Sequence, residues 1–181
     1  MMRLPFEVLS KDIASFIGGI KGNTRKLIVV DLDNTLWGGV IGDIGSNNLV
    51  LGGHNPAGEA FRDFQMALKS LSNAGIVLAI KSKNEENIAL EAIENHPEMV
   101  LRKNDFVAWR INWEDKAQNI YEIAKELNLG LDAIVFLDDN SFERERVKHA
   151  LPDVFVPELP KDPMLYKHFF LQLDCFNTSS I

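Results

Sequence analysis

The chain of 181 residues contains a single cysteine, Cys175. No internal disulfide can form, and no thiolate cluster can hold zinc. Cations are also scarce, with 19 Lys and Arg against 26 Asp and Glu and a net charge of −7. That balance argues against a nucleic-acid binder, because phosphate backbones demand clustered Lys and Arg. No apolar run approaches the roughly 20 residues of a membrane span, and the N-terminus lacks the apolar core of a signal peptide. The expected location is the cytoplasm, with no membrane partner. What is present is an ordinary globular composition, 46% hydrophobic and 25% charged. The length suits one well-cored α/β domain.

The organisation is an alternation. Residues 5–20 predict an amphipathic helix with Phe6, Leu9, Ile13, Phe16 and Ile17 on one side, broken by Gly18, Gly19, Gly22 and Asn23. The run Leu27-Ile28-Val29-Val30 reads as a strand buried on both faces. The Gly-rich stretch Trp37–Asp43 suggests a small β-flap. A helix is expected from Pro56 to Asn73, with Phe61, Phe64, Leu68 and Leu71 on its inner stripe, capped by Gly75. Further strands are expected at Ile76–Ile80, Phe106–Trp109, Ala133–Leu137 and Val154–Val156, with a short apolar segment at Met99–Leu101. Helices fall at 85–95, 115–128 and 141–150, and the tail from Lys161 looks helical. Strand, helix, strand, helix predicts a parallel sheet flanked by helices, a Rossmann-like α/β fold.

Ligands in such sheets bind beyond the carboxyl ends of the strands. Asp31 and Asp33, Ser82, and Asp138 with Asp139 all fall there. Two carboxylates one residue apart repel each other unless a cation meets them, and Mg2+ would serve. Asp31 is the expected nucleophile on phosphorus, and Asp33 the acid and base. Mg2+ would be held among Asp31, Asp33, Asp138 and Asp139. Ser82 would bind phosphoryl oxygens, and Lys116 would offset the crowded negative charge. Each residue has an ordinary reading as well. An Asp-x-Asp is commonly a turn, Asp138-Asp139-Asn140 and Ser82 can cap helices, and Lys116 can be a solvated helix lysine. Their joint occurrence at strand ends favours the site.

The order Asp31-Leu-Asp33-Asn-Thr35, Ser82, Lys116, Asp138-Asp139 resembles the four motifs of the haloacid dehalogenase superfamily. Leu36–Asp43, Val50–His54, Ser82-Lys83-Asn84, Val107–Lys116 and Phe136–Asn140 further resemble its FkbH-like branch, over about residues 26–160. Residues 1–25 would then be an N-terminal helix and linker, and 161–181 a helical tail. The resemblance implies a small flap in place of a large cap, and phosphate binding by Thr35, Ser82, Asn84 and Lys116. It also implies a glyceryl transferase/phosphatase of polyketide synthesis. Such a domain takes a phosphoglyceryl group from 1,3-bisphosphoglycerate onto a cysteine, removes the phosphate, and passes the glyceryl unit to an acyl carrier protein.

One position departs from that branch. The cysteine before the motif-two serine is here Lys81, and an amide formed on lysine would hardly be reversed by a carrier thiol. Lys81 is an engineered or natural replacement that impairs transfer, or a strand-end lysine reaching solvent. Cys175 lies outside the matched region and is a poor substitute. A plain phosphatase and a catalytically idle carrier-binding module are the alternatives. His54 and His96 are candidates to deprotonate a thiol or bind a carboxylate, and Arg102 and Arg110 to grip a distal phosphate. Trp37, Trp109 and Trp113 either wall the site or fill the core. Arg144, Arg146 and Lys148 are a possible carrier patch, though the charge pattern favours a solvated helix face.

Overall fold

The structure is a computed structural model that describes residues 24–176; the helix expected at 5–20 lies outside them. Four strands, β1 (Leu27–Val30), β2 (Val77–Ser82), β3 (Phe106–Ile111) and β4 (Ile134–Leu137), form one sheet in the order β3-β2-β1-β4. All pairings are parallel. The expected strand at Val154–Val156 reduces to one parallel bridge, Phe155 to Val135, on the outer side of β4.

Side chains along β1, β2 and β4 alternate strictly between two cores, as a period of two requires. Ile28, Val30, Leu78, Ile80, Val135 and Leu137 face one core with α2 (Pro56–Asn73), α3 (Glu86–Asn95) and α6 (Tyr166–Leu171). Leu27, Val29, Ala79, Ile134 and Phe136 face the other, with α4 (Lys116–Glu126) and α5 (Ser141–Ala150). Every residue of β1 is buried because both faces are covered. The same parity places Lys81, within β2, and Asp31 and Asp138, just past β1 and β4, on the α4–α5 side.

The two longest helices match expectation closely. Asn55 caps α2 by accepting from the amides of Ala57 and Gly58, with Pro56 at the first helical position. The tail folds back onto α2, where Tyr166 meets Phe61 and Phe64 edge to face at 5.8 and 5.5 Å.

Two segments differ from their sequence patterns. The excursion after β1 is pinned by one antiparallel bridge, Gly38 to Val50, but its middle is a single helical turn, α1 (Ile41–Ile44), and a 3-10 turn at Ser46–Asn48. It is too short to be a cap domain. Met99–Leu101 forms no strand. The buried Gln65 amide takes the place of strand partners, accepting from the Val100 and Leu101 amides at 3.0 and 3.1 Å and donating to Leu36 O at 2.8 Å.

Candidate active site

The end of β1 is where opposite charges meet. Lys116 opens α4, and its Nζ lies 2.6 Å from Asp138 Oδ2 and 3.2 Å from Asp31 Oδ1. All three side chains are almost wholly buried. Burial alone would push the Lys116 ammonium down, but the charges of Asp31 and Asp138 outweigh it and hold its pKa above the ordinary value. Asp138 is raised as well: burial, and then the neighbouring Asp31 charge, disfavour its carboxylate despite Lys116. Asp139 is raised for the same two reasons.

One oxygen or more from each of Asp31, Asp138 and Asp139 converges within 4.8 Å. Anionic oxygens at that spacing are the donors a hard divalent cation takes, with waters or phosphate oxygens filling the remainder. The carboxylates are held before any ion arrives. Asp138 Oδ1 accepts from the Asn140 amide at 2.9 Å. The Thr35 hydroxyl accepts from the Asp139 amide at 3.1 Å and donates to Asp139 Oδ1 at 3.4 Å, fastening the β1 loop to the β4 loop. Thr35 is thus brought to the site as a tether.

Asp33 stands apart from that cluster. Its Oδ1 accepts from Trp37 Nε1 at 2.9 Å and from the Ile41 amide at 3.1 Å. Its Oδ2 accepts from Asn84 Nδ2 at 3.0 Å. The chain turns immediately after it, with Asn34 in the left-handed region at φ 58°. Asn34 Oδ1 accepts from the Gly39 amide and its carbonyl from the Tyr166 hydroxyl, which fixes the turn. The Asp33 carboxylate therefore does not join the three that converge, although all four were expected to share the metal. Asn84 also donates to Ser82 Oγ at 3.0 Å, and among the described residues the Ser82 proton has no acceptor.

Lys81 is fully buried, which overturns the reading of a strand-end lysine reaching solvent. Its Nζ donates to Asn112 O at 3.0 Å, Asn112 Oδ1 at 2.8 Å and Ser82 O at 3.4 Å. Burial, then the Lys116 and Lys83 cations, lower its pKa to about 8. Cys175 is remote from this place. Its carbonyl accepts from the Arg25 amide, before the start of β1, so the whole strand separates it from Asp31. Burial also pushes the Cys175 thiol up to about 11.

No family profile matches the chain, and no curated protein matches it. Solved structures do. The N-terminal part of a Bacteroides fragilis protein, containing a phosphatase domain and complexed with magnesium, aligns at TM-score 0.92 and 45% identity. That match covers 96% of this chain and 46% of the other. The chain thus spans about half the length of that relative. A haloacid dehalogenase family enzyme of Bacteroides thetaiotaomicron, in complex with magnesium and inorganic phosphate, aligns at TM-score 0.56 and 12% identity over 81% of this chain and 99% of that one. A haloacid dehalogenase-like hydrolase of Xanthomonas campestris aligns at 0.54 and 15% identity over 83% and 96%. The chain folds as a haloacid dehalogenase-type domain.

Within this haloacid dehalogenase fold, several expected residues have other duties. Arg102 donates to the carbonyls of Ile93 and Glu94 at the end of α3, and Arg110 pairs with Glu122 and Glu126. His54 is exposed before α2, and His96 accepts the Glu98 amide on Nδ1. Trp37 is both core and site, being fully buried while holding Asp33. Trp109 is partly buried against the core and bonds Glu86, and Trp113 is exposed.

Arg144 is the residue that sequence reasoning misplaced. It is buried, and its Nη1 donates to the carbonyls of Asp138 and Asp139 at 2.9 and 2.8 Å. Its spacing of three from Val147, the apolar anchor of α5, was the available signal for burial. Arg146 and Lys148 do face outward, paired with Asp115 and with Glu145 and Glu158.

Proposed function

We propose that this domain is a magnesium-dependent phosphatase that works through a phosphorylated Asp31. The observation that carries the reading is the convergence of Asp31, Asp138 and Asp139 around Lys116 at the carboxyl end of β1. Three converging carboxylates against one closely paired lysine leave an excess of negative charge that a divalent cation would relieve. Asp31, Asp138 and Asp139 would hold Mg2+, which would neutralise the carboxylates and the incoming phosphate.

The residues divide the labour. Asp31 attacks phosphorus, forming an aspartyl-phosphate as the bond to the leaving oxygen breaks. Asp33 has Oδ2 only singly engaged, so that oxygen can carry the proton delivered to the leaving group. The same carboxylate then takes a proton from water as it attacks the aspartyl-phosphate, releasing inorganic phosphate. Ser82 donates its free proton to a phosphoryl oxygen, and Lys116, paired with Asp31, matches the developing charge.

The motifs shared with glyceryl-loading domains support an acyl phosphate such as 1,3-bisphosphoglycerate, and an acyl carrier protein, as the partners of an ancestral reaction. We infer that this chain performs only its dephosphorylating half. Acyl transfer needs a thiol beside the phosphate site, and that position holds a buried, three-fold bonded Lys81. The decisive test is phosphate release from small phosphate esters with magnesium, by wild type and Asp31→Asn. Loss in the variant, with phosphate found on Asp31 after acid quench of the wild type, supports the reading. Turnover unchanged in Asp31→Asn sinks it. Mass spectrometry with the acyl phosphate and a carrier, comparing wild type with Lys81→Cys, tests the finer point. A glyceryl unit on the carrier from wild type would overturn it.

A further inference from the structure

Among the described residues, the loop between β2 and α3 brings one lysine, Lys83, to the edge of the site. Lys83 emerges between Ser82 and Asn84, both of which line it. Its Nζ is 2.6 Å from Glu143 Oε1, in the first turn of α5. In the sheet, β2 and β4 flank β1. An ion pair from the residue after β2 to the helix after β4 therefore spans the carboxyl end of β1, above Asp31 and Asp33. The two partners differ in exposure: the Lys83 side chain is 37% accessible and that of Glu143 only 10%. An ammonium has three donors, and Glu143 is the partner of one. Among the described residues the other two have none.

A buried carboxylate thus holds a half-exposed ammonium at the mouth of the site, with donors to spare. We propose that Lys83 selects substrates whose leaving group carries a second anionic group, a carboxylate or phosphate. The inference rests on the phosphatase reading above. Glu143 gives the lysine a fixed position, which lowers the entropy lost when the substrate's anion is bound.

The test uses phosphoglycolate and ethyl phosphate, near-isosteres that differ by one carboxylate, with magnesium present. Wild type should prefer phosphoglycolate in kcat/KM. In Lys83→Met that preference should shrink about 10-fold, the worth of one charge-assisted hydrogen bond. Lys83→Arg should retain most of it. A wild type without the preference, or one in which Lys83→Met leaves the ratio within twofold, overturns the inference. If neither ester is turned over, the phosphatase reading fails by itself. The same ratio, taken from dissociation constants by calorimetry, then decides: a 10-fold fall supports a role for Lys83, and an unchanged ratio or no binding refutes it.

Discussion

Lys81 donates twice to Asn112, to its carbonyl at 3.0 Å and its side-chain oxygen at 2.8 Å. Asn112 in turn donates its amide to Ser82 O and accepts the Glu114 amide on Oδ1. The lysine thereby fixes the turn that leads through Asp115, the cap of α4, to Lys116. Lys81 is thus a clamp on the loop that carries Asp115 and Lys116.

That clamp carries a pH signature. The Lys81 pKa of about 8 lies below the ordinary lysine value of 10.5 because burial and the Lys116 and Lys83 charges disfavour the ammonium. A depressed folded value means that the unfolded chain binds the extra proton between those limits. The stabilising contribution is present above the unfolded pKa and is lost as pH falls through about 8. Urea titrations of wild type and Lys81→Met should show the wild type gaining on the variant by about 2 kcal/mol between pH 7 and 10. A constant difference would show that the ammonium is not strained by its surroundings.

Lys116→Met should expose the electrostatic debt of the site. Asp31 and Asp138 would lose their buried counter-charge, and an uncompensated buried carboxylate costs about 3 kcal/mol or more. Without metal the variant should be destabilised by that order in thermal or chemical melts, and magnesium should recover part of it. Turnover should fall at least about 100-fold, the scale of losing one fixed charge at a developing oxyanion. Near-normal stability in chelator would contradict the central role of the ion pairs.

The arrangement was legible in the sequence where periodicity is strong. β1, α2 and α4 announce themselves by continuous or 3.6-spaced apolar residues, and parity along β1, β2 and β4 fixes which side Asp31, Lys81 and Asp138 share. The rest depends on contacts that periodicity does not encode. Nothing local distinguishes a buried Arg144 reaching two carbonyls from its outward neighbours Arg146 and Lys148, apart from its spacing to Val147. Met99–Leu101 is apolar enough for a strand, but Gln65, 35 and 36 positions away, satisfies the Val100 and Leu101 amides instead. Arg102 and Arg110 look alike as substrate cations until their carbonyl and glutamate partners are seen.

Arg144→Met should weaken magnesium without touching the ion. The guanidinium holds the carbonyls of Asp138 and Asp139, so its loss frees the peptide that aims two of the three converging carboxylates. Supporting groups of this type typically change metal affinity by about 10- to 100-fold. Activity measured against magnesium concentration should show that shift in the half-saturating value, with turnover at saturation much less affected. Loss confined to turnover at saturating magnesium would assign Arg144 to a different task.

The role of Asp33 can be separated from that of Asp31 by varying the leaving group. A general acid matters most when the departing oxygen is a strong base, and little when it leaves as a stable phenolate. Asp33→Asn should therefore hydrolyse ethyl phosphate at least about 100-fold more slowly, while an activated aryl phosphate suffers less. Trp37→Phe should move the same way by a smaller factor, because it keeps an aromatic side chain in the core but removes the Nε1 donor that orients Asp33 Oδ1. It should cost about 2 kcal/mol or more in stability, from the lost hydrogen bond together with the cavity left by the smaller ring. The Asn84 donor on Oδ2 remains in that variant, so the carboxylate is loosened and not released. Equal losses on both esters for Asp33→Asn would move Asp33 from proton transfer to holding the site together.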